Sequence, residues 1–145
     1  MKVVIQRVIS ASVIVDNHEI SRINQGLLIL LGVEKEDLIT DLDYLVDKTS
    51  NLRIFRDEND NMNLSIMDVN GEILVVSQFT LYGDCKRGNR PSFINSAKSD
   101  DAKPIYNFFI SKLKKFNINV ESGKFGAMMD VKLINDGPVT IIIES

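Results

Sequence analysis

The run Leu27-Leu28-Ile29-Leu30-Leu31-Gly32-Val33 contains no polar side chain. A strand that alternates apolar and polar residues keeps one face in water; an unbroken apolar run reads instead as a strand covered on both faces. A chain that holds such a strand must supply a layer on either side of it. At 145 residues one domain is the natural size, and folding at that length buries roughly 68–70% of the surface the unfolded chain exposes, so a core needs no staples.

Material for those layers lies on both sides of the run. Val3 and Ile5, then Ala11, Val13 and Val15 after Ser10, alternate toward a turn-like Asp16-Asn17-His18-Glu19 that leads to Ile20 and Ile23. This pattern predicts two or three antiparallel strands, followed by a turn at Asn24-Gln25-Gly26. Leu52 to Phe55 reads as a short strand before the polar loop Asp57 to Asn61, and Glu72 to Leu81 is the strongest strand candidate. Met129, Val131 and Leu133 alternate with Asp130 and Lys132; a turn at Asn135 to Pro138 then precedes Val139 to Ile143. Together these last segments predict a closing hairpin or a bent strand pair.

Two segments change period. Leu38, Ile39, Leu42, Leu45 and Val46 fall on one stripe of an amphipathic helix spanning about 37–50. A second helix is expected over about 100–116, with Ser99 as N-cap, Asp100 and Asp101 beside its positive end, and Pro104 in the opening turn. Ile105, Phe108, Phe109, Leu113 and Phe116 form its stripe, read as plain core. The expected architecture is α+β over residues 1–145: a mainly antiparallel, barrel-like β-sheet with two flanking helices.

The chemistry this chain can perform is narrowed by what it lacks. Its single cysteine, Cys85, forms no internal disulfide, and with one histidine the usual zinc sites are excluded by count. A reducing, cytoplasmic setting is expected, since no apolar run reaches the roughly 18 residues of a membrane span. Ser-His-Asp and Cys-His mechanisms need an imidazole, and His18 sits in a predicted turn. No GxGxxG or GxxxxGK[ST] loop supports dinucleotide or P-loop chemistry. Paired-carboxylate catalysis stays open, although solvation explains acids clustered in a helix and loop.

Hydroxyls, main-chain amides and groups brought by a substrate remain. Ser77 and Thr80 end an apolar strand, where a buried hydroxyl must find a partner; a structural role and a functional one both fit. Gly137-Pro138 in isolation reads as a trans turn, the cis form being found in only about 5–6% of such bonds. Net charge is −3, yet Lys86, Arg87, Arg90 and Lys98 meet only Asp84 across residues 84–98. A local basic surface attracts phosphate even on a mildly acidic molecule; a solvated face is the plainer alternative.

Ser77-Gln78-Phe79-Thr80-Leu81 and Asn135-Asp136-Gly137-Pro138-Val139-Thr140 resemble the two signatures of the D-aminoacyl-tRNA deacylase (D-tyrosyl-tRNA deacylase) family. The flanks agree over nearly the whole chain: Gln6-Arg7-Val8, Ala11-Ser12-Val13, Gly83-Asp84, Arg90-Pro91-Ser92-Phe93 and Phe125-Gly126-Ala127-Met128-Met129. The resemblance implies a metal-free and cofactor-free homodimer that hydrolyses the ester joining a D-amino acid to the terminal ribose of tRNA, with no DNA or membrane partner. It implies a cis Gly137-Pro138 bond whose neighbouring carbonyls hold the α-ammonium and crowd an L side chain, so that glycine also fits. This segment, with Asn135, Val139 and Thr140, would enter the partner's site, oriented by Arg7.

By the same resemblance Ser77, Gln78, Phe79 and Thr80 form the catalytic segment, Phe79 walling the site against the terminal adenine. Phe125 and Met129 would line it, and Lys86, Arg87 and Arg90 would touch tRNA phosphates. Thr80 could attack as a nucleophile, but no base is near in sequence. The favoured alternative has the neighbouring ribose hydroxyl help activate water while main-chain amides around Gln78 to Thr80 hold the oxyanion. Competing readings are a tRNA-end binding module without turnover, a related deacylase with a trans Gly-Pro bond acting on small L-residues, and a structural dimerisation domain.

Overall fold

A 14-residue strand, β1 (Lys2–Val15), is the spine of the computed structural model, which describes residues 1–37 and 39–145. Asp16 and Asn17 both take positive φ, 50° and 63°, the pair of left-handed residues that a tight type I′ hairpin requires. The chain therefore returns at once as β2 (His18–Ile23), then runs through β3 (Gly26–Gly32), α1 (Ile39–Asn51), β4 (Phe55–Arg56), β5 (Met62–Leu64) and β6 (Glu72–Ser77). A 3-10 turn (Phe79–Tyr82), α2 (Ser99–Lys114), β7 (Asn119–Ser122) and β8 (Asp130–Glu144) complete it.

On one side β1 pairs antiparallel with β3 along its first half and with β2 along its second; on the other it pairs with β8 over nearly its whole length. Beyond β3 the direction changes, because β6 pairs parallel to β3 and β7 parallel to β6. Each parallel step needs a crossover, which α1 and α2 supply. The sheet is thus mixed, and it curls until β2 comes against β6 and β7, nearly closing a barrel.

The apolar run of β3 is explained by two cores. Leu27, Ile29 and Leu31 point into a cluster with Leu42, Leu45 and Val46 of α1 and Tyr106, Phe109 and Leu113 of α2. Leu28 points the other way, into Val8, Ala11, Val13, Ile23, Leu74 and Val76 inside the curl of the sheet. Polar side chains on either face would be stranded without water.

Several boundaries differ from those expected. Leu38 lies outside the described residues, and Ile39, expected on the buried stripe of α1, is exposed. Asp37 precedes the helix, where its carboxylate accepts from the Met1 ammonium and the Glu34 amide. Ser99 is the first residue of α2 and not its cap: the Lys98 carbonyl accepts from the Asp101 and Ala102 amides, and Lys98 makes no side-chain cap bond. Phe108 and Phe116 are more than a third exposed, while Tyr106, absent from the expected stripe, is buried. The strand expected at Leu52 to Phe55 shrinks to β4 and starts only at Phe55.

Two larger corrections concern the candidate motifs. The strand beginning at Glu72 stops at Ser77, because its partner β3 ends at Gly32 and the last main-chain bond joins the Gln78 amide to the Leu31 carbonyl at 2.8 Å. Asn135 to Pro138 is not a hairpin turn. β8 continues through it, paired with β1 on both sides of an interruption that lies between the pairs Gln6–Thr140 and Val8–Asn135.

Candidate active site

Where β6 gives way to the 3-10 turn, a cleft of about 940 Å³ opens. It is lined by Leu31 and Val76, by Ser77, Gln78, Phe79 and Thr80, by Lys98 just before α2 with Ala102 and Tyr106 along its first half, and by residues 125–129. Of the residues singled out in sequence, Ser77, Gln78, Phe79, Thr80, Phe125 and Met129 therefore meet around one space.

The turn shapes the lining from Ser77 to Thr80. The Gln78 amide is committed to Leu31, so it is unavailable as an oxyanion donor. The Leu81 amide bonds back to Gln78 and the Gly83 amide to Thr80. Phe79 and Thr80 come first in the turn, and amides in those places have no acceptor within it. They are the pair of N–H groups the segment can offer a ligand. The Thr80 hydroxyl accepts a hydrogen bond from the Gln78 side-chain amide, an arrangement that orients it without supplying a base. Phe79 is half-exposed and meets Phe93 edge-on at 5.1 Å between ring centres.

Tyr106 braces the opposite side. Its hydroxyl donates to the Val75 carbonyl at 2.8 Å, with the Gly123 carbonyl at 3.5 Å, and its ring lies 5.5 Å from that of Phe125. Burial pushes its phenol up to about 12, so it is neutral and serves as a strut. Sequence reasoning missed both Tyr106 and Phe93. The signal in Tyr106 was a phenol within a helix stripe that packs against β6, for a buried hydroxyl must find an acceptor.

Gly137, Pro138, Val139, Thr140, Asn135 and Arg7 are elsewhere: none lines the cleft. The Gly137–Pro138 peptide is cis and Gly137 has φ 120°. Both residues are exposed, projecting from the interruption in β8. Arg7, only 1% exposed, holds this segment from behind. Its Nε donates to the Asp136 carbonyl at 3.2 Å and pairs with the Asp136 carboxylate at 3.1 Å, and its Nη1 donates to the Ile54 carbonyl. The Asn135 Nδ2 atom is buried without a partner in the single chain, and the Gln6 side chain donates to Thr140 Oγ1 at 3.3 Å.

Lys86, Arg87 and Arg90 are exposed on the loop after the turn, closed by the Asp84–Ser92 main-chain pair. Cys85 is exposed in the same loop. His18 is exposed in the β1–β2 hairpin, its Nδ1 2.8 Å from the Asp16 carbonyl. Among the described residues no group of three or more His, Cys, Asp or Glu is placed to hold a metal, and no helix is long and apolar enough to cross a membrane.

The family model described as D-Tyr-tRNA(Tyr) deacylase matches residues 4–144. Over 145 residues the chain is 55% identical to the D-aminoacyl-tRNA deacylase of Clostridioides difficile (strain 630) and 54% identical to that of Thermosipho africanus (strain TCF52B), in both cases spanning 100% of this chain and 97% of the relative. Among solved structures it is similar to a c-Myc DNA unwinding element binding protein, with TM-score 0.94, 44% identity and coverage of 100% and 99% of the two chains. A probable eukaryotic D-amino acid tRNA deacylase shares the fold, with TM-score 0.85 at 18% identity, covering 99% of this chain and 98% of that one.

Proposed function

The chain belongs to the D-aminoacyl-tRNA deacylase family, and we propose that it works as a cytoplasmic homodimer in which each cleft is completed by the Gly137–Pro138 segment of the partner subunit. It is an ester hydrolase acting on aminoacyl-tRNA. The finer reading is that it cleaves the ester between a D-amino acid, or glycine, and the terminal ribose, and spares the L-ester. One observation carries this reading. The two signature segments do not share one space in the single chain: the first lies around the cleft, while the second, carried by the edge strand β8, does not line it. A second copy of the chain would bring the second segment to the first.

Exposed apolar residues accompany that projection: Ile9 on β1 and Ile134 and Ile142 on β8 are each more than half exposed in the single chain. Apolar side chains beside that projection are what an interface between copies would cover. Carbonyls of the projecting segment would then accept from the substrate's α-ammonium, leaving space for a D side chain and crowding an L side chain. Recognition made at the α-carbon tolerates many side chains.

For the reaction, water adds to the ester carbonyl carbon, and the oxygen that gains charge is held by the Phe79 and Thr80 amides, donors of a kind worth about 10²–10³ in rate each. The neighbouring ribose hydroxyl helps activate that water. The carbon–oxygen bond to the ribose then breaks and the ribose oxygen takes a proton, releasing free amino acid and tRNA. Phe79 walls the adenine, and Lys86, Arg87 and Arg90 meet backbone phosphates, which position the RNA without reading its sequence.

Incubation with D-Tyr-tRNA and L-Tyr-tRNA tests this. Free D-tyrosine should be released while the L-ester survives, with sedimentation giving twice the chain mass. Binding of both esters without turnover would make it a tRNA-end binding module, and cleavage of small L-esters in preference to D-esters would make it a deacylase of opposite chirality.

A further inference from the structure

We propose that Gly123 sets the depth of the cleft, by giving the thioether of Met129 its seat. The inference rests on the deacylase reading above and adds a residue that decides how much room the substrate end has.

Gly123 follows β7, and its φ is not among the left-handed ones. Its backbone would therefore accept any residue, and it is space that calls for glycine. A Cβ at this position would lie 2.7 Å from Met129 Sδ and 3.7 Å from both Met129 Cε and Val76 Cγ2. The first distance is shorter than van der Waals contact permits, so either the backbone or Met129 must move.

The backbone is held. The Gly123 amide donates to the Val75 carbonyl at 2.9 Å, and the Tyr106 hydroxyl donates to that same carbonyl with the Gly123 carbonyl close by. Met129 is free to yield, being unbranched with three rotatable bonds. Met129 lines the cleft together with Val76 and Phe125, whereas Gly123 meets the Met129 thioether without lining the cleft itself, so the side chain displaced from its seat turns into the cleft.

The test is a double-mutant cycle on D-Tyr-tRNA. Gly123→Ala should raise KM about tenfold with kcat within about twofold of wild type, as expected of overpacking that removes room for substrate binding. On a Met129→Ala background the same substitution should change KM by less than about twofold, since the atom it collides with is gone. Because Met129 yields into open space, the unfolding temperature of Gly123→Ala should fall by no more than about 4 °C. Should Gly123→Ala fail to fold, the double variant carries the test alone: it must fold and match the KM of Met129→Ala. A wild-type KM for Gly123→Ala, or an equal KM rise on both backgrounds, or a double variant that fails to fold, would overturn the proposal. Its failure differs from failure of the deacylase reading, in which wild type itself releases no D-tyrosine.

Discussion

Replacing Arg7 by Met isolates the element that joins β1 to the projecting segment. The substitution keeps most of the apolar stem that lies in the core and removes the guanidinium. Three acceptors lose a donor: the Ile54 carbonyl, the Asp136 carbonyl and the Asp136 carboxylate. The Ile54 carbonyl is buried, and an acceptor stranded there costs roughly 1–3 kcal/mol. Asp136 is 34% exposed, so water replaces much of what it loses, and this part is discounted to under about 1 kcal/mol. Removing the charge also removes its own desolvation cost, which acts in the opposite direction. The net expectation is a loss of about 2–3 kcal/mol, and at about 2–4 °C per kcal/mol for a chain this size Tm falls by about 4–12 °C. Thermal unfolding followed by circular dichroism gives the value, at one protein concentration because dimerisation makes Tm concentration-dependent. Arg7→Lys should fall between, since an ammonium reaches one acceptor and not both arms of the fork. A Tm within about 2 °C of wild type for Arg7→Met would show that the fork is dispensable and refute the reasoning.

Gly137→Ala places a Cβ 2.9 Å from Arg7 Nη2 and 3.1 Å from Val139 Cγ2 at φ 120°; a loss of about 1–3 kcal/mol by urea unfolding is expected, with D-Tyr-tRNA cleavage falling at least as far as stability does. Thr80→Ala should keep deacylation within about tenfold, since the residue lacks a base, whereas tRNA ending in a ribose without its neighbouring hydroxyl should not be cleaved; a dead Thr80→Ala that still binds tRNA would restore the nucleophile. Tyr106, raised to about 12 by burial, stays neutral in the folded chain while the unfolded phenol ionises from about 10. Its contribution is full below pH 10 and is lost between about 10 and 12, worth about 2–3 kcal/mol. Tyr82, raised by its burial and by Asp37, adds to the same slope, so Tyr106→Phe should reduce the alkaline loss seen by denaturant titration without abolishing it. Joint replacement of Lys86, Arg87 and Arg90 by Ala should weaken tRNA binding and flatten the plot of log Kd against log salt by about 0.7–0.9 for each phosphate left without its cation.

The parts of this molecule visible in its sequence are those that a short stretch settles for itself. The unbroken apolar run of β3 required two covering layers, and it has them because Leu27 and Leu28 face different cores. Leu42, Leu45 and Val46 of α1 and the hairpin at Asp16-Asn17 follow from local period and turn chemistry in the same way. What escaped notice depends on distant partners. Tyr106 is a strut only because Val75 and Gly123 lie opposite its hydroxyl, and the end of β6 at Ser77 is decided by the end of β3, which lies far away in the chain.

The segment Asn135 to Pro138 shows the limit most sharply. Its residues are turn formers, and a chain choosing locally would reverse there. It does not, because β1 offers a continuous edge of pairing sites from Lys2 to Ile14 and closing a hairpin would forfeit half of them. The four turn formers are instead absorbed as an interruption: from Val8 back to Gln6 β1 advances two residues, while β8 advances five, from Asn135 to Thr140. The three additional residues have no partner opposite and must leave the sheet plane. Arg7, between those two pairs on β1 and buried under the departing loop, is the residue placed to fasten it. A turn sequence forced to remain in a strand thus becomes a projection with an anchor, and pairing on both sides of it holds the projection against the body of the sheet.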